Sequence, residues 1–193
     1  MAELVRVTAL ADPPIRRALC AHLQREHAGD PDFRLMPELD VCGGRARVDL
    51  AALNGRFVGF EIKSARDTTR RLTDQLGWYE LVFDEIVIVT APSHLGAIRS
   101  VAPGWCGIWR ADASGDEAKL TQLRRARPNP RWRPTVALRL LLLDELRALA
   151  RRVDADVPRR LRHAEAVGRL AERVPPETLR VELRRTLALR AQG

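Results

Sequence analysis

The apolar residues of this chain follow a helical spacing in some segments and a strand-like alternation in others. Ile15, Leu19 and Leu23 recur every four residues after Asp12-Pro13-Pro14, which predicts a helix with an acidic N-cap. A second helix is predicted after a cap at residues 67–69, and its apolar stripe consists of Leu72, Leu76, Tyr79 and Phe83. Residues 45–79, which end within this second helix, are the most informative stretch of the chain.

Strand-like runs alternate with these helices. Two of them flank Asn54-Gly55, a strong hairpin signal, and the continuous apolar run at 86–89 predicts a central strand. The remaining predicted segments are an extended or loop-like stretch at 33–41, a short helix at 92–101, and strands at 106–110 and 119–125. Because a hairpin stands beside a strand–helix–strand crossover, we predict an α/β fold with a mixed central sheet flanked by helices.

The apolar faces of the two hairpin strands predict their register. On the first strand this face is assigned to Val48, Leu50 and Ala52. On the second strand it is assigned to Val58, Phe60 and Ile62. The two faces coincide only if the loop has three residues, 54–56, so that Leu53 pairs with Phe57. Asp49 then lies opposite Glu61, with the two side chains about 5 Å apart.

This register brings two acids and an amine together. Glu61 and Lys63 are two residues apart in a strand, so their side chains point to the same face. Carboxylates as close as Asp49 and Glu61 repel each other unless a positive charge lies between them, and a divalent cation would supply it. Lys63 and Lys119 are the only lysines among 33 lysine and arginine residues, which favours a chemical role for the amine beside Glu61.

The segment D-x(11)-E-I-K, from Asp49 to Lys63, resembles the PD-(D/E)XK nuclease superfamily. The S-A-R-D-T-T-R-R-L-x-x-Q-x-x-x-Y that follows is similar to a group of small bacterial members of that superfamily. The resemblance covers roughly residues 12–111, and Val48 stands where the superfamily's name has a proline. It implies a restriction-endonuclease-like fold, a mixed central sheet flanked by helices, and a metal-dependent site.

The resemblance also implies roles for individual residues. Asp49 and Glu61 would hold one or two Mg²⁺ or Mn²⁺ ions, with the Ile62 carbonyl as a backbone ligand. Asp49, Glu61, Lys63 and Gln75 would form the catalytic set. Lys63 would orient the water or neutralise developing charge, and Gln75 would position the phosphate or the water. Glu38 matches an acid that assists metal binding, with an ordinary surface glutamate as the equal alternative. The residues expected to contact nucleic acid here are Arg47, Ser64, Arg70 and Arg71, although Arg47 could pair with Asp49 instead and the helix arginines could lie on a solvated face.

A basic, proline-rich segment, R-R-A-R-P-N-P-R-W-R-P, occupies residues 124–134. Arg131 and Trp132 could track a phosphate backbone and stack a base, or Trp132 could instead anchor a linker to the core. Further helices are predicted at 135–152, 158–174 and 177–190. The first has a largely apolar surface formed by Leu138, Leu141, Leu142, Leu146 and Leu149. We therefore divide the chain into a nuclease-like core, 1–127, and a basic linker with a helical C-terminal extension, 128–193.

Composition narrows the possible partners and compartment. The 193 residues carry a net charge of +8 and a pI of about 10.7, which fits a polyanion partner, although a merely arginine-rich surface is the alternative. Three cysteines without a C-x-x-C motif predict reduced thiols, with neither a disulfide framework nor a zinc site. The N-terminal residues lack a signal-peptide pattern and the longest apolar run is too short for a bilayer, so we expect a cytoplasmic protein without membrane contact.

These features predict a metal-dependent endonuclease or exonuclease that acts on nucleic acid, with DNA favoured over RNA, in defence or repair. The alternative is a non-catalytic nucleic-acid- or partner-binding module on the same fold. The C-terminal helices are a candidate surface for a homo-oligomer or a protein partner. No base-reading motif is visible, so we predict no particular sequence specificity.

Overall fold

The computed structural model describes residues 12–190 and has a mixed α/β architecture. Its N-terminal part comprises α1 (Asp12–Glu26), β1 (Arg34–Val41), β2 (Ala46–Leu53), β3 (Phe57–Lys63), α2 (Leu72–Tyr79), β4 (Glu85–Thr90), α3 (Leu95–Val101), β5 (Gly107–Ser114) and β6 (Glu117–Arg124). Four further helices follow: α4 (Pro134–Ala137), α5 (Leu143–Arg152), α6 (His163–Arg173) and α7 (Pro176–Arg190). Short 3-10 turns, Pro92–His94 and Leu138–Leu140, precede α3 and follow α4.

The six strands form one sheet in the order of the chain, β1-β2-β3-β4-β5-β6. Strands β3, β4 and β5 run parallel to one another, while β1–β2, β2–β3 and β5–β6 are antiparallel pairs. Every residue of β4 is buried, as the apolar run at 86–89 predicted. The predicted mixed sheet with helices on both sides is confirmed.

The hairpin loop between β2 and β3 has the predicted three residues. Leu53 pairs with Phe57 and Leu50 with Phe60. Gly55 adopts φ +79°, a left-handed conformation that glycine adopts without a steric penalty. The predicted register of the hairpin is therefore confirmed along its paired half.

The predicted apolar face of β2 is wrong at one position. Val48 packs in the core that contains α2, whereas Leu50 and Ala52 pack in the core beneath α1. The reason is an interruption of the β1–β2 ladder, where neither Glu38 nor Asp49 is a paired residue and Glu38 has φ +50°. The alternation of side chains along β2 is therefore reset at Asp49.

Each face of the sheet supports its own hydrophobic core. Helix α1 covers one face through Ile15, Leu19 and Leu23, which all lie in the smaller core. The larger core on the other face receives α2, α3 and all four C-terminal helices. Because those helices share one continuous core with the sheet, no packing boundary separates residues 128–190 from the segment before them.

The predicted helix at 135–152 is broken in the structure. Leu141 and Leu142 are extended, with ψ 145° and 160°, and separate the turn after α4 from α5. The Glu145 carboxylate accepts the backbone N–H of Leu142 at 2.6 Å, which caps the new helix start. Leu142 is consequently 65% exposed, although its leucine neighbours in the predicted stripe are buried.

The other C-terminal predictions need smaller corrections. Residues 158–162 form a turn, so the predicted helix at 158–174 begins only at His163, while α7 lies where expected. Within residues 12–190, no helix combines the length and the apolar character that crossing a bilayer requires.

Candidate active site

Strands β2 and β3 separate halfway along their length. Their pairing ends at Leu50 and Phe60; beyond that point β2 continues against β1, and β3 continues against β4. An open cleft of about 850 Å³ occupies this fork. Its lining includes six acids and four bases: Asp12, Asp40, Asp49, Glu61, Asp67, Asp74, Arg45, Arg47, Lys63 and Arg71.

Glu61 lies at the base of the cleft and is only 2% exposed. Its Oε1 atom accepts hydrogen bonds from Lys63 Nζ at 2.6 Å and Gln75 Nε2 at 2.7 Å. Its Oε2 atom lies 2.7 Å from the Tyr79 hydroxyl. The structure therefore brings together three of the predicted catalytic residues, Glu61, Lys63 and Gln75.

Tyr79 connects the two separated strands. Its hydroxyl lies within hydrogen-bonding distance of Glu61 on β3 and, at 2.8 Å, of the Arg47 carbonyl on β2. The side chain is fully buried, and burial together with the Glu61 carboxylate holds the pKa of the phenol far above its usual range. The neutral hydroxyl can therefore act as a donor to Glu61.

Asp49 faces the cleft from the point where the β1–β2 ladder is interrupted. Its Oδ2 atom accepts the backbone N–H of Ile62 at 2.7 Å, which ties the acid to β3 beyond the end of the regular pairing. Burial and then the Glu61 carboxylate raise the pKa of Asp49 to about 7. The two predicted metal-binding acids therefore face a shared space and repel each other electrostatically.

Arg16 of α1 reaches the opposite side of Asp49. It donates to the Asp49 carbonyl at 2.6 Å and lies 3.4 Å from the Asp49 carboxylate. It also forms ion pairs with Glu38 at 2.8 Å and Asp12 at 3.1 Å. The arginine thus compensates both the backbone carbonyl and the acids that are brought together at the interrupted ladder.

Glu38 is paired with two arginines. One of its oxygens pairs with Arg16 and the other with Arg47 at 2.9 Å, and Glu38 is not among the cleft-lining residues. The alternative of an ordinary, arginine-paired glutamate describes its position better than a metal ligand does. Arg47 likewise pairs with Glu38, rather than with Asp49, and its side chain is 62% exposed at the cleft rim.

The other predicted nucleic-acid contacts on this side differ in accessibility. Arg71 is exposed and lines the cleft, whereas Arg70 is exposed without lining it. Ser64 is buried, and both its N–H and its hydroxyl are donated to Asp67 Oδ2, at 2.7 and 2.6 Å. Asp67 therefore closes this loop and does not cap α2, whose N-cap residue is Arg71.

The prediction that Trp132 stacks a base is wrong, and the anchoring alternative is confirmed. Trp132 is 6% exposed, donates its indole N–H to the Val82 carbonyl at 2.9 Å and lies beneath the Arg180 guanidinium. Arg131 is exposed and pairs with Glu80 at 3.2 Å. Neither Arg131 nor Trp132 lines the cleft.

Comparison with known proteins identifies the family of the chain. A family model described as bacteriophage P4 protein cII matches residues 5–192. The chain belongs to this family. Protein cII of Enterobacteria phage P4 is 28% identical to it over 149 residues, which are 77% of this chain and 54% of the phage protein. The chain thus spans about half the length of that relative. A solved structure, the SPO1766 protein of unknown function from Silicibacter pomeroyi, is similar with 21% identity and a TM-score of 0.45, covering 75% of this chain and 92% of that one.

The donor atoms of this cII family member can be tested against a divalent cation. No group of three or more His, Cys, Asp or Glu side chains among residues 12–190 is arranged to hold a metal ion. Asp49 and Glu61 nevertheless supply carboxylate oxygens beside Ile62, and all three residues line the cleft. Mg²⁺ is commonly bound by one or two carboxylates, with water and phosphate as the remaining ligands. Two carboxylates beside a backbone carbonyl are oxygen donors of the kind that Mg²⁺ or Mn²⁺ accepts, and water or phosphate would have to complete the coordination.

Sequence reasoning missed two residues of this site. Tyr79 was assigned to the apolar stripe of α2, and its ring is indeed buried in the core while its hydroxyl reaches Glu61. A signal was available, since a buried tyrosine needs a partner for its hydroxyl and Gln75 lies one turn earlier. Arg16 gave no comparable signal, because its contact with Asp49 spans 33 positions.

Proposed function

We propose that this protein is a metal-dependent nuclease that hydrolyses phosphodiester bonds, with Mg²⁺ or Mn²⁺ as cofactor and DNA as the favoured substrate. The observation that carries the proposal is the approach of Asp49 and Glu61 from two separating strands, with Lys63 and Gln75 beside them. The resemblance of residues 49–79 to the PD-(D/E)XK superfamily supports the same reading.

The charge balance of the cleft favours a cation-dependent activity. Six acids and four bases line it, so a phosphate would be poorly attracted by the side chains alone. Asp49 and Glu61 would hold the metal ion, which when bound would lower the pKa of a water molecule and offset charge developing on phosphate. Relief of the repulsion between the two acids would contribute to the binding of the ion.

Lys63 and Gln75 would position the reacting groups. Lys63 is 8% exposed and has its amine between the Glu61 carboxylate and Gln75 Oε1, at 2.6 and 3.1 Å. From this position the ammonium group would hold the attacking water or donate to a phosphate oxygen. Gln75 would hold the Lys63 amine and the Glu61 carboxylate in a fixed relative position, because its amide oxygen contacts the amine and its amide nitrogen contacts the carboxylate.

A second candidate function is a nucleic-acid-binding module without hydrolytic activity. The observation that favours it is the saturation of Glu61, whose two oxygens are already contacted by Lys63, Gln75 and Tyr79. A metal ion would have to share these oxygens with their present donors. In this case the basic residues on the rim would bind phosphate and the acids would limit affinity.

A cleavage assay with matched variants distinguishes the two functions. Single- and double-stranded DNA and RNA are incubated with the protein in Mg²⁺, in Mn²⁺ and in EDTA. Hydrolysis by the wild type is expected with either metal and not in EDTA, and Asp49→Asn or Lys63→Ala is expected to reduce the rate at least about 100-fold. Lys119→Ala removes the only other lysine, which lies outside the cleft, and should leave the rate unchanged.

Three outcomes would contradict the nuclease. Cleavage that persists in EDTA would exclude the metal mechanism. Equal rates for wild type and Lys63→Ala would indicate a contaminating nuclease. Salt-sensitive binding of nucleic acid without cleavage in either metal would support the binding module instead.

A further inference from the structure

One aromatic ring lines the otherwise polar cleft. Trp78, in the last turn of α2, is half-buried and is the single aromatic residue among the cleft-lining residues of the described chain. Its inner part packs against the larger core, while the indole reaches the same opening as Glu61 and Lys63. Tryptophan is seldom fully buried, and an indole with one part open to a polar cleft is available to contact a planar ligand.

The Trp78 ring has an arginine as a neighbour on the cleft side. The Arg45 guanidinium lies 5.3 Å from the ring centroid, within the range of a cation–π contact. Arg45 is exposed and forms no ion pair with a carboxylate among residues 12–190. The contact is therefore weak and can be exchanged for another planar partner.

The hairpin between β1 and β2 holds this pair at the cleft rim. Cys42, Gly43 and Gly44 all have positive φ, between 55° and 78°, and this tight turn leads directly into Arg45. The Cys42 thiol donates to the Trp78 carbonyl at 3.6 Å, which fixes the turn against α2. A Cβ atom built on either glycine would meet nothing within 4 Å, so the space around the turn is open.

We propose that Trp78 is the stacking platform for an unpaired base, and that the protein therefore prefers single-stranded nucleic acid or a frayed end to an intact duplex. The base takes the place of the Arg45 guanidinium on the indole face, and Arg45 moves to the adjacent phosphate. Bases stacked within a duplex present no free face to Trp78, so the platform discriminates against duplexes. The inference rests on the proposed function for its choice of nucleic acid as ligand, but it does not require hydrolysis.

The test is a binding measurement at low salt in Ca²⁺, a divalent cation with oxygen ligands that would offset the acids of the cleft, and the length of each oligonucleotide is checked afterwards to exclude cleavage. Short single strands of DNA and of RNA are compared with a blunt duplex of the same sequence. The wild type is expected to bind the single strands more tightly than the duplex and to lose tryptophan fluorescence on binding. Trp78→Leu keeps an apolar side chain without a π face, and is expected to lose about tenfold in affinity for single strands and most of the quenching.

Two matched variants separate stacking from packing. Trp78→Phe retains an aromatic face and should restore most of the preference for single strands. Trp105→Leu makes the same change at a tryptophan that packs against the same core but does not line the cleft, and should behave as the wild type in affinity and quenching.

The outcomes also distinguish this inference from the proposed nuclease. It is overturned if Trp78→Leu keeps the wild-type preference and quenching, or if the wild type binds duplex as tightly as single strands. A preference that depends on Trp78, found without any cleavage in Mg²⁺ or Mn²⁺, would support the platform and remove the nuclease. Metal-dependent cleavage that is unaffected by Trp78→Leu on both substrates would overturn the platform and leave the nuclease.

Discussion

Two acids accept backbone N–H groups of β3, one near each end of the strand, and their surroundings are opposite. Asp84 accepts the N–H of Phe57 at 2.8 Å and is also contacted by Arg184 at 2.9 Å and Arg180 at 3.4 Å. Asp49 accepts the N–H of Ile62 at 2.7 Å, but it faces another acid, Glu61. The first acid joins α7 to the sheet, whereas the second is only weakly compensated, by Arg16 at 3.4 Å, and lies beside an open cleft.

This difference in surroundings indicates what Asp84 and Asp49 each contribute to the protein. The carboxylate of Asp84 is matched by two guanidinium groups from α7, so it serves the packing of the C-terminal helices. At the Asp49 centre the Arg16 contact is long, and the pKa of Asp49 is raised to about 7 by burial and by Glu61. An arrangement that opposes folding is expected where an added cation is part of the function.

The largest expected change in stability comes from removing the charge of Asp84. Asp84→Asn keeps an acceptor for the Phe57 N–H but leaves two partly buried guanidinium groups without their acid. We expect a loss of about 3 kcal/mol in the free energy of unfolding, measured by urea denaturation. A loss below about 1 kcal/mol would show that α7 is held by apolar packing alone.

The same substitution at the other centre should have the opposite sign. Asp49→Asn removes a charge that opposes folding, so the variant should be more stable than the wild type by on the order of 2 kcal/mol at pH 8. The raised pKa means that the folded wild type binds a proton more readily than the unfolded chain does. Wild-type stability attributable to Asp49 therefore increases as the pH falls through about 7, and the advantage of the variant should shrink by pH 5. An advantage that does not change with pH would exclude Asp49 as its cause.

A smaller effect is expected from Tyr79→Phe, which removes the hydroxyl that connects Glu61 on β3 with the Arg47 carbonyl on β2. We expect a loss of about 1 kcal/mol in unfolding free energy and about tenfold weaker Mn²⁺ binding, measured by electron paramagnetic resonance. Tyr79 is the only tyrosine, so near-ultraviolet absorbance reports its titration directly. Ionisation of the phenol at its ordinary pKa in the folded protein would contradict its contact with Glu61.

The smallest effect belongs to Arg131, whose pair with Glu80 is exposed. Arg131→Ala should change the free energy of unfolding by less than about 0.5 kcal/mol and should weaken nucleic-acid binding no more than the loss of one distant charge does. A large loss of binding would restore Arg131 to the nucleic-acid surface that the sequence predicted.

The parts of the fold that depend on local patterns were predictable. The polar and apolar alternation around Asn54-Gly55 determined the three-residue loop, and with it the approach of Asp49 to Glu61. The interrupted ladder at Glu38 was not predictable, because a glutamate at φ +50° carries no distinctive sequence signal. Val48 was consequently assigned to the wrong face.

The C-terminal half also contains features that the sequence did not predict correctly. A leucine-rich pattern suggested one continuous helix, although Asp144 and Glu145 are acids suited to the first turn of a new helix and were a usable signal. Trp132 could not be assigned from sequence, since its partners Val82 and Arg180 are each about 50 positions away. Long-range contacts of this kind decide burial, and burial decides whether an aromatic residue stacks a ligand or anchors the chain.

The most direct test of the proposed metal centre is a crystal soaked in Mn²⁺ and measured for anomalous scattering. We expect a peak between the carboxylates of Asp49 and Glu61, near the Ile62 carbonyl, and no such peak in crystals of Asp49→Asn. A fully occupied Mn²⁺ elsewhere, or a saturating soak with no density between these two acids, would contradict this expectation.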